Sequence, residues 1–192
     1  MPSLFIMMVR CDMHEGAGGR VLSGRTVNGP LRTAIITLSD KGSRGEREDE
    51  SGRIIREMTV GIGAEIVHYE VLPDDRDLIA TVLSRLADGG AIDLILTTGG
   101  TGVAPRDVTP EATRSIIERE LPGMAEAMRA ESLKKTPHAM ISRAVAGTRK
   151  QTLIVNLPGS PRAVRENLAV ILPALAHAVE KIKGDPSDCG GA

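Results

Sequence analysis

Apolar and polar positions follow two alternating periods along most of the chain. From residue 32 onward, short apolar runs typical of buried strands are followed by segments in which apolar residues recur every three or four positions, as in amphipathic helices. The first five such segments are TAIITLS, SGRIIREMT, EIVHYEVL, RDLIATVLSRLAD and DLILTT. This order of strand, helix, strand, helix and strand predicts an α/β domain with a largely parallel sheet and helices on its faces.

The second half of the chain continues the pattern and marks its helix starts. Thr109 and Pro110 predict an N-cap followed by proline at the first helical position, and we expect that helix to continue through Glu120. PGMAEAMRAESLKK predicts another helix, and QTLIVNLP predicts another buried strand.

The last predicted helix begins with the same combination of a capping residue and a proline, and it is the last element of the predicted domain. Ser160 and Pro161 form a second cap followed by proline, and Pro173 is expected to kink or split the helix. We therefore expect one domain over residues 31–184 and a loose C-terminal tail over residues 185–192.

The first thirty residues lack a sustained period. Residues 1–30 carry several glycines and end in the turn sequence NGP, so we interpret them as an N-terminal tail. A short extra strand over residues 4–9 is the alternative. That apolar stretch is too short to span a membrane and lacks the pattern of a secretory signal, which favours a cytoplasmic protein without a membrane segment.

Composition narrows the classes of function. The 24 Lys and Arg balance the 25 Asp and Glu, so no global field attracts nucleic acid or an anionic membrane. Phe5 and Tyr69 are the only aromatic residues, which removes the stacking platforms of single-strand binders. Cys11 and Cys189 show neither a metal-ligand spacing nor a disulfide framework. We expect no nucleic-acid partner, and a reducing cytoplasm fits the cysteine content.

Three polar or glycine-rich loops follow predicted strands, where ligands collect in open α/β sheets. Glycine N–H groups and helix N-termini favour phosphate oxygens, and Thr98, Thr101 and Ser160 add hydroxyl donors. Steric needs of tight turns explain such glycines equally well, and no GxxxxGK[ST] motif is present. The three loops are LSDKGSRGEREDESG, TTGGTGVAPRD and NLPGSP.

Carboxylates beside these loops indicate a divalent cation. Asp74 and Asp107 each lie just beyond an apolar strand, and oxygen ligands beside phosphates favour Mg²⁺. The alternative for Asp74 is that either it or Asp75 caps the next helix. Asp40 is explained equally by ligand binding and by an Asx turn.

Other charged groups carry weaker signals. Four cations could neutralise phosphate, although each alone is more often a solvated surface charge. The histidines are scattered, and no Ser-His-Asp or Cys-His arrangement supports covalent catalysis. The four cations are Lys41, Arg106, Arg143 and Lys150.

Longer motifs covering roughly residues 31–185 resemble one family. They are ITLSDKGSRG with EDESG, LPDD, LTTGGTGVAPRDVTPEAT, ERELPGMAEAMRAESLKKTPHAMISRAVAG, and TLIVNLPGSP with PALAHAVEKIKGD. The sequence resembles the MogA-type molybdopterin adenylyltransferases of molybdenum cofactor biosynthesis, and its later half resembles the G domains of the plant and gephyrin homologues. MoaB-type relatives share GGTG and a PGS element but usually lack PRDVTPE, so the resemblance favours the adenylyltransferases.

The resemblance implies a fold, a reaction and partners. It implies a three-layer α/β sandwich with a mostly parallel central sheet, usually in a homotrimer. The implied reaction transfers AMP from ATP to molybdopterin with Mg²⁺, releases pyrophosphate, and precedes hand-over to a molybdate-inserting MoeA-type protein. A non-catalytic pterin-binding or trimeric scaffold protein of the MoaB-like type is the alternative.

The resemblance also implies functional residues. Asp74 and Asp107 match the two aspartates regarded as essential in the family and are the expected catalytic and metal-binding residues. The expected substrate-binding residues are Asp40, Ser51, Thr98, Gly99, Gly100, Thr101, Gly102, Asn156, Pro158, Gly159 and Ser160.

Overall fold

Strands and helices alternate along residues 29–186, the part of the chain that the computed structural model describes. The strands are β1 (Leu31–Leu38), β2 (Ala64–Leu72), β3 (Leu94–Thr98), β4 (Arg119–Glu120), β5 (Ala146–Arg149) and β6 (Thr152–Leu157). The helices are α1 (Asp40–Ser43), α2 (Glu50–Thr59), α3 (Arg76–Asp88), α4 (Thr109–Arg114), α5 (Pro122–Leu133) and α6 (Pro161–Ile182), with 3₁₀ turns at Val60–Ile62 and Pro137–Ile141.

The predicted tails fall largely outside these residues. The alternative strand over residues 4–9, both cysteines and residues 187–192 lie there, so those predictions stay predictions. Among residues 29–186, no helix is both long and apolar enough to cross a membrane.

The strands form one sheet in the order β2-β1-β3-β6-β5-β4. β1 pairs in parallel with β2 and β3, and β3 pairs in parallel with β6, whereas β5 is antiparallel to β4 and β6. The chain leaves β1 toward β2 on one side and returns to β3 on the other, which makes a topological switch point between β1 and β3. Ligands bind at such points, outside the carboxyl ends of the strands.

Helices cover both faces of the sheet because apolar side chains of β1 alternate between them. Ile35 packs in the core shared with α2, α5 and α6, whereas Ile36 packs in the core shared with α3 and α4. Both residues are fully buried. The predicted α/β fold with a mostly parallel central sheet and three layers is confirmed.

Two predictions about α4 were wrong, and the structure also decides one about α6. α4 ends at Arg114 rather than Glu120, and residues 119–120 instead pair with β5 at the sheet edge. The N-cap is Val108, not Thr109, because the Thr109 hydroxyl donates to the Gly99 carbonyl oxygen at 2.9 Å. Pro173 lies inside an unbroken α6, so the helix does not split there.

A buried carboxylate at the amino end of β3 connects this strand to β1 and to the C-terminal end of α6. Asp93, directly before β3, is 2% exposed and accepts from the backbone N–H of Arg32 at 3.0 Å. The Arg32 guanidinium and the Lys183 ammonium each contact Asp93 Oδ1 at 2.7 Å. Burial alone would raise the pKa of Asp93, but hydrogen bonds from Arg32 and Lys183 hold it below its ordinary value.

Asp93→Asn is expected to lower the free energy of unfolding at pH 7 by about 2 kcal/mol, because the variant removes the charge that two cations share. A carboxyl whose pKa is depressed by folding stabilises the fold above its unfolded pKa, and this contribution is lost as pH falls through the folded pKa. The stability difference should therefore shrink below about pH 4. Urea unfolding from pH 7 to pH 3 measures it.

Asp88→Asn is the control for this prediction. Asp88 forms an ion pair with Arg149 but its side chain is 40% exposed, so its loss should lower the free energy of unfolding much less than the loss of Asp93. Equal losses in the two variants, or a pH-independent loss at Asp93, would contradict the role assigned to the buried carboxylate.

Candidate functional site

A cavity of about 670 Å³ lies at the switch point of the sheet. Its wall is built by the loops that follow β1, β3 and β6, with a further contribution from the loop after β2. Because these strands are parallel, their carboxyl ends bring the three predicted loops to the same edge. The predicted site residues that line the cavity are Ser51, Asp74, Thr98, Gly99, Gly100, Asp107, Gly159 and Ser160.

Close packing within the loops explains the glycines after β3. Gly99 has φ +104°, and a Cβ there would overlap the carbonyl oxygen of Leu38 on the neighbouring strand. At Gly100, φ +60°, a Cβ would overlap the Thr109 hydroxyl oxygen. The alternative of a steric need is therefore correct for both positions, whether or not a ligand approaches them.

Three residues that line the cavity, on two loops, have backbone N–H groups with no acceptor among residues 29–186. Over residues 29–186, no hydrogen bond is donated by the N–H groups of Gly100, Gly159 or Ser160. The Ser160 hydroxyl oxygen accepts from the Ala163 N–H at 3.2 Å and caps α6, which leaves its proton available for donation. Donors of this kind at a long helix N-terminus suit phosphate oxygens.

The structure distinguishes the two adjacent aspartates after β2. Asp75 caps α3, since its Oδ1 accepts from the Leu78 N–H at 2.9 Å, whereas Asp74 lines the cavity. Burial raises the pKa of Asp74, and the carboxylates of Asp40 and Asp107 raise it further against the effect of a hydrogen bond from the Asp40 N–H. A cation beside Asp74 would relieve this repulsion.

Asp40 supports Asp74 instead of lining the cavity. The two residues exchange hydrogen bonds, each backbone N–H donating to the other carboxylate at 3.1 Å. Arg106 grips both oxygens of Asp40, at 2.7 and 3.0 Å, and this hydrogen-bonded pair holds the pKa of Asp40 below its ordinary value. The ion pair joins the loop after β1 to the loop after β3, so Arg106 is engaged within the protein.

Within residues 29–186, one carboxylate oxygen of Asp107 accepts no hydrogen bond. Its Oδ2 accepts from the Ala104 N–H at 2.8 Å, and its own N–H donates to the Ala104 carbonyl at 2.9 Å. A Cβ on Gly102 would lie only 2.8 Å from Asp107 Oδ2. The loop is therefore shaped around the Asp107 side chain.

The sequence analysis missed three acidic residues and a cation in the cavity wall, namely Glu48, Asp49, Glu50 and Arg47. Asp49 caps α2 through the Gly52 N–H and also accepts from the Thr37 and Tyr69 hydroxyls. Burial, and then the adjacent Asp49, raises the pKa of Tyr69 to about 12, so its hydroxyl remains a donor at neutral pH. Arg47 lines the same wall. In the sequence, Asp49 could have been found from its position at the start of the predicted helix, three residues before Gly52, which is the spacing of an N-cap.

Comparison with known proteins identifies the family. Residues 34–177 match the model of a probable molybdopterin binding domain. The chain belongs to this family.

Curated members of the family carry one recurrent description. A molybdopterin adenylyltransferase from Helicobacter pylori strain J99 is 43% identical over 157 residues, which cover 81% of this chain and 89% of the relative. A molybdopterin adenylyltransferase from Escherichia coli K12 is 39% identical over 151 residues, or 78% of this chain and 77% of the relative. The resemblance found in the motifs is thus confirmed.

Solved structures of the family share the fold. The molybdopterin biosynthesis enzyme MoaB from Thermus thermophilus is 52% identical, with a TM-score of 0.76 over 82% of this chain and 99% of that one. A structure of MogA is 37% identical, with a TM-score of 0.75 over 79% of this chain and 99% of that one. Both MogA-named and MoaB-named proteins therefore superimpose closely on this family member.

The remaining predicted residues of this family member lie outside the main cavity. Thr101, Gly102 and Pro158 line a separate, smaller cavity of about 240 Å³. Asn156 is fully buried, and its side-chain amide donates to the hydroxyls of Thr97 and Thr113 at 3.0 and 2.9 Å. The structure gives Asn156 a packing role beneath the site and no exposure to a ligand.

Proposed function

We propose that the chain is a molybdopterin adenylyltransferase, which transfers AMP from ATP to the terminal phosphate of molybdopterin and releases pyrophosphate. One observation carries the proposal: two carboxylates, Asp74 and Asp107, share a cavity with the free N–H groups of Gly100 and Ser160. The descriptions of the curated relatives support the same reaction.

The reaction requires positioning more than an enzyme nucleophile. A phosphate oxygen of molybdopterin attacks the α-phosphorus of ATP, a new P–O bond forms, and the bond to the bridging oxygen of the β-phosphate breaks. The electron pair of that bond leaves with pyrophosphate. Holding the two phosphates in line and offsetting their charge supplies most of the catalysis in such transfers. The N–H groups of Gly100, Gly159 and Ser160 are suited to hold phosphate oxygens.

The donor set fits Mg²⁺ bound together with substrate phosphates. Mg²⁺ commonly takes one or two carboxylates and completes its octahedron with phosphate oxygens and water. Asp74 and Asp107 are such a pair, and no cluster of three or more metal-binding side chains occurs in residues 29–186. These two residues would hold the ion, which when bound would supply positive charge beside the pyrophosphate leaving group.

The test is direct product detection. Purified protein is given molybdopterin, ATP and Mg²⁺, and adenylyl-molybdopterin and pyrophosphate are quantified, with an EDTA-treated sample alongside. Equimolar formation of both products, abolished by EDTA, is the expected result. Molybdopterin binding without ATP consumption would instead favour the non-catalytic pterin-binding or scaffold function.

The same proposal extends to assembly and location. By resemblance to the family, we infer a cytoplasmic homotrimer that passes its product to a molybdate-inserting MoeA-type protein. Light scattering at several concentrations tests the trimer, and a stable monomer at micromolar concentration would contradict it.

A further inference from the structure

Arg143 grips the loop that carries Asp107 at both of its ends. Its Nε donates to the Gly102 carbonyl at 2.6 Å, and its Nη2 donates to the Asp107 carbonyl at 2.6 Å. Its backbone N–H donates to the Thr101 carbonyl at 2.9 Å. Arg143 thus donates hydrogen bonds to three carbonyl oxygens, two at the beginning and one at the end of a single loop.

The charge of Arg143 is paired with a carboxylate of the protein. Its Nη1 pairs with Glu111 on α4, and Arg143 lines a cavity of about 410 Å³ that Asp107 also lines, instead of the 670 Å³ cavity. A role of this arginine in neutralising phosphate stays a prediction, because its three guanidinium nitrogens are engaged within the protein. Its planar guanidinium instead bridges groups in fixed directions, which a lysine ammonium does not reproduce.

Between these contacts the loop has one other side-chain link to the described part of the fold, the ion pair of Arg106 with Asp40. Val103 at its tip is 61% exposed. Within the loop, the Ala104 and Asp107 contacts already described are local and hold the carboxylate relative to the loop. They do not fix the loop relative to the sheet. The Arg143 contacts do, because they join Gly102 and Asp107 to a different segment of the chain.

Arg143 is itself anchored to the core. Arg129 on α5 donates to the carbonyls of Ser142 and Ala144, the two residues that flank Arg143, at 3.5 and 3.1 Å. Ala144 is buried in the core that includes α5 and α6. The hydrogen bonds of Arg129 and Arg143 therefore connect the packed helix α5 to the exposed loop that carries Asp107.

We propose that Arg143 is a positioning residue for Asp107, holding its loop at the depth in the cavity at which the carboxylate meets the reacting phosphates. This inference rests on the proposed adenylyl transfer. A displacement of about 1 Å at a reacting group can cost a large factor in rate, whereas substrate contacts elsewhere in the cavity remain.

The test compares Arg143→Met and Arg143→Lys with the parent protein in steady-state kinetics and in amide hydrogen exchange over residues 101–108. Arg143→Met is expected to lower kcat about tenfold with the KM for ATP changed less than about threefold, because a transition-state contact is misplaced. Exchange in the loop should rise. Arg143→Lys should recover part of kcat, since it keeps a donor.

Arg149→Met is the matched control. Arg149 is also half-buried, pairs with Asp88 and donates to the Ile116 carbonyl at 2.9 Å. It lies beside the amino end of β6, whereas the cavity lies at the carboxyl ends of the parallel strands. Its kcat should equal that of the parent. An equal fall of kcat in Arg149→Met and Arg143→Met would show a general loss of stability and overturn the proposal.

A double variant tests whether Arg143 acts through Asp107. In an Asp107→Asn background, Arg143→Met should lower kcat less than about twofold further, since residues that act as a unit are not additive. A full tenfold further loss would overturn the proposal, as would a change confined to KM. If Arg143→Met does not fold, Arg143→Lys decides by the same measurements.

Failure of the proposed function gives a different result. If the parent protein forms no product, adenylyl transfer is refuted. The exchange measurement would still show whether Arg143 holds the loop that carries Asp107. Loop exchange that rises in Arg143→Met and not in Arg149→Met would uphold the geometric part, and unchanged exchange would refute it.

Discussion

Asp107→Asn is expected to lower the turnover of adenylyl transfer by about two orders of magnitude or more, because removing one preorganised charge from a phosphoryl-transfer site has effects of that size. One oxygen of Asp107 accepts from the Ala104 N–H, and an asparagine carbonyl can accept the same bond. The other oxygen loses its negative charge. The loop should therefore keep its shape while its capacity to hold a cation falls.

Single-turnover release of pyrophosphate, followed alongside thermal unfolding, measures this prediction. Asp75→Asn is the matched control, since Asp75 is a carboxylate near the cavity that caps α3. Its turnover should stay close to that of the parent. Near-normal turnover in a folded Asp107→Asn protein would remove Asp107 from the catalytic residues, and an equal loss in Asp75→Asn would show that any charge change nearby has the same effect.

Gly99→Ala is expected to lower the free energy of unfolding by roughly 2–5 kcal/mol, combining a strained backbone with an overpacked contact. Gly99 has φ +104°, a region that residues with a Cβ rarely adopt, and its Cβ would overlap the Leu38 carbonyl oxygen. Gly159 packs on its other side, where its own Cβ would lie 3.2 Å from Gly99 Cα. Gly99 and Leu38 would have to move apart to accept the methyl group, and the close approach of Gly159 leaves Gly99 little room to move.

Gly63→Ala is the control that introduces backbone strain at a positive φ without a steric overlap. Gly63 has φ +72°, but a Cβ there would meet no atom within 4 Å, so its cost should be only about 1 kcal/mol. Urea unfolding of both variants measures the difference, and Gly99→Ala should also lower Tm by roughly 5–15 °C. Equal destabilisation would mean that the Leu38 contact relaxes without cost.

The main elements of the fold could be predicted because their signal is repeated along the chain. β1, α2, β2 and α3 each carry several apolar residues at one period, so a single polar position does not obscure them. β4 and β5 were missed because two and four residues are too few to show a period. The end of α4 was missed because pairing at the sheet edge outweighs local helix propensity.

The candidate site could be predicted as three loops, but not residue by residue. A loop after a parallel strand must reach the carboxyl edge of the sheet, which is why Asp74, Asp107 and Ser160 line one cavity. Which way a side chain points depends on the path of the loop and on distant partners. Asn156, in the same motif as Ser160, belongs to a strand and points into the interior.

The sequence by itself determined the family, the layered architecture and the edge of the sheet at which the candidate site lies, since motifs and periods are properties of neighbouring residues. Only the tertiary structure decided that Asp75 rather than Asp74 caps a helix, and that Leu38 excludes a side chain at Gly99. It also decided that Arg143 donates hydrogen bonds to both ends of the loop that carries Asp107. These outcomes depend on contacts between residues tens of positions apart, whose geometry exists only once the sheet has brought its loops together.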